Sequence, residues 1–193
     1  ENNPTSPSGK LSLPHSRFFF IDNTGGVSIL SSLKDGLKAV ESGGYLWLDY
    51  CDPDLAALQP LVSELNIHPL SIEDALNEDQ LPKLDLFPNY SFMIFNIFES
   101  SNSELITHEL DLFIGANFII SATKRDKSGL PLLAGFEKAV EREQQRIKIG
   151  PSFLLLLIID MVVDRKFQTI DHIETKLDQD EDEILADSPV FDL

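Results

Sequence analysis

The sequence is poor in basic residues, cysteine and long apolar segments, and each shortage argues against a class of protein. Its 193 residues include 15 Lys and Arg against 32 Asp and Glu, which gives a formal net charge of -17. This charge opposes binding to nucleic acid, which depends on Lys and Arg releasing counterions, and it also opposes docking on anionic lipid headgroups. It favours cations or a basic partner, although acids often serve only to keep a protein in solution.

Cysteine and apolar runs are equally scarce. Cys51 is the single cysteine, so no disulfide can form within the chain, which fits a reducing compartment. The first eight residues lack the basic and apolar stretches of a signal peptide. The longest apolar run, residues 153–159, is seven residues long, whereas a transmembrane helix needs about twenty. We therefore expect this chain to act in water.

The pattern of apolar residues and turns predicts an α/β domain over residues 17–150. A hairpin is predicted where two short apolar runs flank the turn around Gly25 and Gly26. The alternating and helical periods then predict strands at 45–49, 90–98, 105–113 and 118–122, and helices at 33–41, 52–65, 131–147 and from His68 onward. Such strands need helices on both faces, so the fold class is α/β, with a mixed parallel/antiparallel sheet sandwiched between helical layers and followed by a long acidic helix.

Two segments flank this domain. Residues 1–16 are rich in Pro, Ser, Asn and Gly, a composition typical of a disordered leader. A long helix is predicted from Pro151 to about Ala186, with a start that is apolar all round and should be deeply buried. From Asp171 onward this helix is strongly acidic, and residues 151–193 are expected to be the start of a longer, truncated helical region.

Four short segments, in a fixed order, resemble one known family. Residues 68–76, HPLSIEDAL, resemble the HPLxxEDxL signature of the CorA family of magnesium and cobalt transporters. Residues 45–49, YLWLD, resemble the W-[IL]-D strand of that family. Residues 82–85, PKLD, followed by Asn89 and Tyr90, resemble its P-K-[VL]-x…Y stretch, and residues 157–164, LIIDMVVD, resemble its long stalk helix.

The resemblance implies the N-terminal cytoplasmic domain of a CorA-type channel, on the cytoplasmic side of the inner membrane. The family's G-M-N tripeptide and its two transmembrane helices do not occur in this sequence and would follow Leu193 in a full-length relative. Such a domain would belong to a homopentamer, would sense intracellular divalent cation through carboxylates between subunits, and would gate the pore. Contact with the membrane would then be made only by the missing C-terminal helices.

Three acids are the candidate metal ligands. Acids near a helix start, such as Glu73 and Asp74, commonly do no more than complement the helix dipole. The resemblance implies a further role, because both match acids that help to form regulatory cation sites between subunits, and Asp164 is the matching acid of the long helix. Mg²⁺ suits such a site because it needs only one or two carboxylates, and Co²⁺ or another divalent cation is the alternative. Arg165 stands where some relatives carry a second acid, and its charge opposes metal binding there.

The sequence offers little for enzymatic chemistry. The four histidines have no zinc-ligand spacing, and there is no P-loop or nucleophile elbow, so we expect neither catalysis nor an organic cofactor. One alternative stays open at this point. The chain could be a soluble acidic α/β domain that binds a basic protein partner or a small molecule and is unrelated to transport.

Overall fold

The computed structural model of the protein describes residues 16–77, 80–101, 104–126 and 129–186. In these ranges the chain forms seven strands: β1 Ser16–Ile21, β2 Val27–Leu30, β3 Tyr45–Cys51, β4 Lys83–Leu86, β5 Tyr90–Ser101, β6 Glu104–Gly115 and β7 Phe118–Thr123. It also forms six helices: α1 Leu33–Val40, α2 Leu55–Glu64, α3 Pro69–Leu76, α4 Phe136–Arg142, α5 Gln144–Ile147 and α6 Pro151–Ala186. The predicted leader and the segment after Ala186 lie outside the described residues, except for Ser16.

The strands form one mixed sheet in the order β2-β1-β3-β7-β6-β5-β4. β3 and β7 pair in parallel, while the other neighbouring strands pair antiparallel. β3 is buried at every position because it lies inside the sheet and is covered on both faces. The predicted mixed sheet and the four predicted central strands are therefore confirmed.

Alternation along the strands creates two separate cores. One core joins Trp47, Leu112 and Ile119 of the sheet to α4, α5 and the start of α6. The other joins Leu48, Phe113 and Ile120 to α1, α2 and α3. We call these two sides the α6 face and the α3 face. The sheet thus lies between two helical layers, as its sequence pattern predicts.

The long helix α6 changes its surroundings along its length. Leu154, Ile158 and Val162 are buried against the sheet, whereas Leu177 is 61% exposed. The prediction that the start of this helix is buried all round is wrong at Leu156, which is 54% exposed. The physical reason is that α6 covers the sheet with one side only, so its opposite side faces solvent even where it is apolar.

Three local predictions need correction. The helix expected from Asp52 begins at Leu55, capped by Asp54, because Asp52 adopts a positive φ of 51° and pairs with Arg125 at 2.9 Å instead. The helix expected over 131–147 begins only at residue 136, because Gly135, at φ 80°, breaks the helical path before it. The proline-marked loop after residue 81 contains the edge strand β4, whose four residues are too few to show a clear period.

Candidate cation site

Helix α3 carries the two adjacent candidate acids and is fixed tightly to the sheet. Pro69 is its first residue, and the Nδ1 atom of His68 caps it by accepting a hydrogen bond from the Leu70 amide at 3.2 Å. The hydroxyl of Tyr90 on β5 accepts from the His68 amide at 3.0 Å and bonds the Ser71 hydroxyl at 2.9 Å. These contacts hold α3 against β5 and so position the acids that it carries.

Asp74 forms an ion pair with a lysine of the same chain. Its Oδ2 atom accepts a hydrogen bond from Lys83 Nζ on β4 at 2.6 Å, and the same ammonium lies 3.1 Å from Asp85 Oδ2. The hydrogen bond that Lys83 donates to Asp74 is the main reason that the pKa of Lys83 is raised above its usual value. The pair is partly open to solvent, with 28% of the Asp74 side chain and 33% of the Lys83 side chain exposed. Asp74 is therefore a partly accessible carboxylate that is paired with the ammonium group of Lys83.

Glu73 has a different environment from its neighbour. It is exposed and borders a groove of about 420 Å³ between α2 and α3, lined mainly by apolar side chains. Within the part of the chain that the structure describes, Glu73 forms no ion pair. Its exposed position leaves it accessible to solvent.

Asp164 and Arg165 lie on α6. Asp164 is exposed, and it too forms no ion pair with another described residue. Arg165 is half-buried, and its guanidinium donates a hydrogen bond to the Leu132 carbonyl at 2.9 Å. Burial lowers the pKa of Arg165 below its usual value. The arginine is therefore attached to the segment before α4, although its charge remains on the helix next to Asp164.

The structure separates Asp164 from the other two candidate ligands. Glu73 and Asp74 lie on α3, which packs on one face of the sheet, and Asp164 lies on α6, which packs on the opposite face. Oxygen ligands of one Mg²⁺ lie about 2.1 Å from the ion, so they are within roughly 4 Å of each other. Both side-chain layers of the sheet stand between these helices. The three acids of one copy therefore do not share an ion.

The described residues contain no group of three or more His, Cys, Asp or Glu side chains arranged to hold a metal. The oxygen donors present suit a hard cation such as Mg²⁺, but a single copy offers only part of a coordination shell. A site that uses these acids needs ligands from a second molecule or from water.

Sequence reasoning missed a buried acid near this site. Asp111 on β6 is only 4% exposed, and its Oδ1 atom has no hydrogen-bond partner among the described residues. The same holds for Thr123 Oγ1 on β7, and both residues border a cavity of about 20 Å³ beside Asn77 at the end of α3. Burial, with smaller effects from Glu109 and Asp74, raises the pKa of Asp111 to about 8. The available signal was its alternation with Phe113, which places Asp111 on a core-facing side.

Comparison with known proteins identifies the family. The chain matches the family model described as CorA-like Mg2+ transporter protein over residues 42–191, which is most of its length. The protein is therefore a member of the CorA-like transporter family, as its motifs indicate. This membership argues against the alternative of an acidic binding domain unrelated to that family.

Individual relatives agree with this assignment. The chain is 28% identical over 138 residues to the putative metal ion transporter YfjQ of Bacillus subtilis, covering 72% of this chain and 42% of the relative. It is 29% identical over 127 residues to the cobalt/magnesium transport protein CorA of Thermotoga maritima, covering 62% of this chain and 34% of that protein. The chain thus spans less than half the length of these relatives.

Among solved structures, the soluble domain of CorA from Methanocaldococcus jannaschii superposes with a TM-score of 0.66. The match covers 89% of this chain and 64% of that one at 20% sequence identity, so it bears on the fold alone. No helix among the described residues is both long and apolar enough to cross a bilayer.

Proposed function

We propose that this chain is the cytoplasmic regulatory domain of a CorA-like divalent-cation channel, and that it senses intracellular Mg²⁺ or Co²⁺ through carboxylates between subunits. The observation that carries the proposal is the position of the candidate acids on opposite faces of one sheet. Glu73 and Asp74 on α3 are too far from Asp164 on α6 to act together within one copy. In a ring of copies, the α3 face of one molecule can meet the α6 face of the next.

The physical mechanism follows from charge. The domain carries a formal net charge of -17, so acids brought together at a subunit interface repel each other strongly when nothing neutralises them. Binding of a divalent cation removes this repulsion and favours the symmetric, closed arrangement of subunits. Loss of the cation releases the subunits. The cation controls the pore only through its greater affinity for the closed arrangement.

Several features of the parent protein are part of the proposal. The parent is a homopentamer integral to the inner membrane, its pore and membrane helices lie outside residues 1–193, and this chain lies on the cytoplasmic side of that membrane. Residues 17–150 form the α/β regulatory body, and α6 begins the stalk-type region that connects this body to the pore. The chain itself is a regulator and not an enzyme.

The decisive test changes the acids without changing their shape. Asp74→Asn, in a full-length transporter that contains this chain, should reduce closure of the pore by internal Mg²⁺, because the amide has no net charge to attract the cation. Flux or current measured against internal Mg²⁺ should show a flatter inhibition curve, with its midpoint shifted to higher concentration. Asp164→Asn should act in the same direction.

Glu64→Gln is the matched control, because Glu64 is an exposed acid on α2, in the same helical layer as Asp74. This variant makes the same change in net charge and should leave the inhibition curve unchanged. If the Asp74 variant is expressed normally and also keeps the original curve, Asp74 has only a structural role and the proposal is wrong.

A further inference from the structure

The ammonium group of Lys83 stands where a cation would bind Asp74. It lies 2.6 Å from Asp74 Oδ2 and 3.1 Å from Asp85 Oδ2, so one positive charge bridges a carboxylate on α3 and another on β4. Two carboxylates are also the usual protein contribution to a bound Mg²⁺. An ammonium and a divalent cation both need the same carboxylate oxygen, and their charges repel, so they compete for Asp74.

The position of Lys83 is set by the sheet. β4 pairs with β5, which places Lys83 directly opposite Ile94. The Lys83 ammonium then lies 5.6 Å from the centre of the Phe92 ring, beside α3. Because the competing charge is attached to the chain, its effective concentration at Asp74 is high and does not depend on the ions in solution.

We propose that Lys83 is a built-in competitor that sets the divalent-cation concentration at which Asp74 responds. This inference rests on the proposed function, since it takes Asp74 to be a cation-binding carboxylate. When divalent cation is scarce, the ammonium of Lys83 neutralises Asp74. When the cation is abundant, it displaces the ammonium, which moves toward solvent. The competition weakens cation binding and moves the response to a higher concentration.

The test measures Mg²⁺ binding directly. Lys83→Met removes the charge but keeps an unbranched side chain at this position, so the Mg²⁺ dissociation constant at Asp74 should fall about tenfold. The readout is the shift of the NMR amide signals of residues 73–75 in the 193-residue chain during titration with MgCl₂. Lys34→Met makes the same change in net charge at an exposed position on α1 and should change the affinity far less.

Two further variants define the result. Lys83→Arg keeps the positive charge and should retain the weaker binding, and Asp74→Asn added to Lys83→Met should abolish the gain. Equal Mg²⁺ affinity in Lys83→Met and Lys34→Met would overturn the proposal. If Lys83→Met loses its folded NMR spectrum, Lys83→Gln serves for the same comparison, with the same two outcomes.

The two proposals fail in different ways. If Asp74→Asn leaves the flux curve of the transporter unchanged, the proposed sensing function is wrong. If that curve shifts but loss of the Lys83 charge leaves Mg²⁺ affinity unchanged, sensing through Asp74 stands and only the competitor role of Lys83 is wrong.

Discussion

Asp49 and Asp111 are buried aspartates on two strands of the same sheet, one on each face, and their surroundings are opposite. Asp49, on the α6 face, is 1% exposed and accepts hydrogen bonds from Arg17 at 2.6 Å and from Ser121 at 2.7 Å. Asp111, on the α3 face, is 4% exposed and has one oxygen without a hydrogen bond from any described residue. Asp49 is thus buried with a cation and a hydroxyl as partners, whereas one oxygen of Asp111 has no partner among the described residues.

Asp49 and Asp111 therefore differ in how their burial affects the fold. Arg17 connects β1 to Asp49, to Glu137 on α4 at 2.9 Å and to the Leu133 carbonyl at 3.0 Å, so this network ties the sheet to its helical layer. Around Asp111 burial is poorly compensated, and the group is held in its neutral form at neutral pH. Burial raises the pKa of Asp49 as well, although Arg17 and Ser121 partly offset this effect. Both faces of the sheet therefore carry a cost of burying an acid, and they differ in how far hydrogen bonds offset it.

The largest loss of stability is expected from removing Arg17, which connects Asp49, Glu137 and the Leu133 carbonyl. Arg17→Met removes the cation and leaves Asp49 buried with only Ser121, so the free energy of unfolding should fall by about 3–5 kcal/mol. Urea unfolding at pH 7 measures this change. Arg142→Met, at an exposed position in the last turn of α4, should cost less than about 1 kcal/mol. Similar losses in the two variants would mean that Asp49 does not depend on Arg17.

On the α3 face, replacing the buried acid Asp111 should increase the free energy of unfolding at high pH. The folded pKa of Asp111, about 8, lies above its usual 3.8, so between these values the folded protein binds a proton that the unfolded chain releases. The contribution of this group is favourable at low pH and is lost as pH rises toward 8, by about 3 kcal/mol between pH 5 and pH 8. Asp111→Asn should remove this decline and should be more stable than the original protein at pH 8.

Urea unfolding at pH 5, 6.5 and 8 provides the measurement for Asp111, and Glu141→Gln on the surface of α4 is the control with the same charge change. The control should keep the original pH dependence. An Asp111→Asn variant that keeps it as well would show that another group titrates in this range, and the contrast between the two faces would then be lost.

Most of the fold could be predicted because its signals are local. Helices α1 and α3 form where the sequence predicts them, with Ser32 and His68 as their caps, and the hairpin of β1 and β2 closes around Gly25. Local signals are weakest where an element is short or a helix is interrupted. That is why β4 and the break at Gly135 were missed.

The site was predictable only in part. The HPLxxED motif places Glu73 and Asp74 correctly on α3, since a capping residue followed by Pro is a local helix signal. The pairing of Asp74 with Lys83 joins a helix to an edge strand that sequence analysis did not find. The separation of Asp164 from both acids depends on which face of the sheet each helix covers, which is a property of the whole topology.

The smallest effects are expected from Ser121 and Thr123, two hydroxyl residues on the same side of β7, one with hydrogen-bond partners and one without. Thr123→Val replaces a buried hydroxyl, whose oxygen has no hydrogen bond to a described residue, with a methyl group of similar volume, so unfolding should require about 1 kcal/mol more. Ser121→Ala removes the hydroxyl that donates to Asp49 at 2.7 Å and accepts from Trp47 Nε1 at 3.1 Å, so it should cost about 2 kcal/mol. Urea unfolding of both variants should therefore give changes of opposite sign. If Thr123→Val is destabilising, its hydroxyl has a partner such as a bound water, and this buried group is better compensated than its contacts indicate.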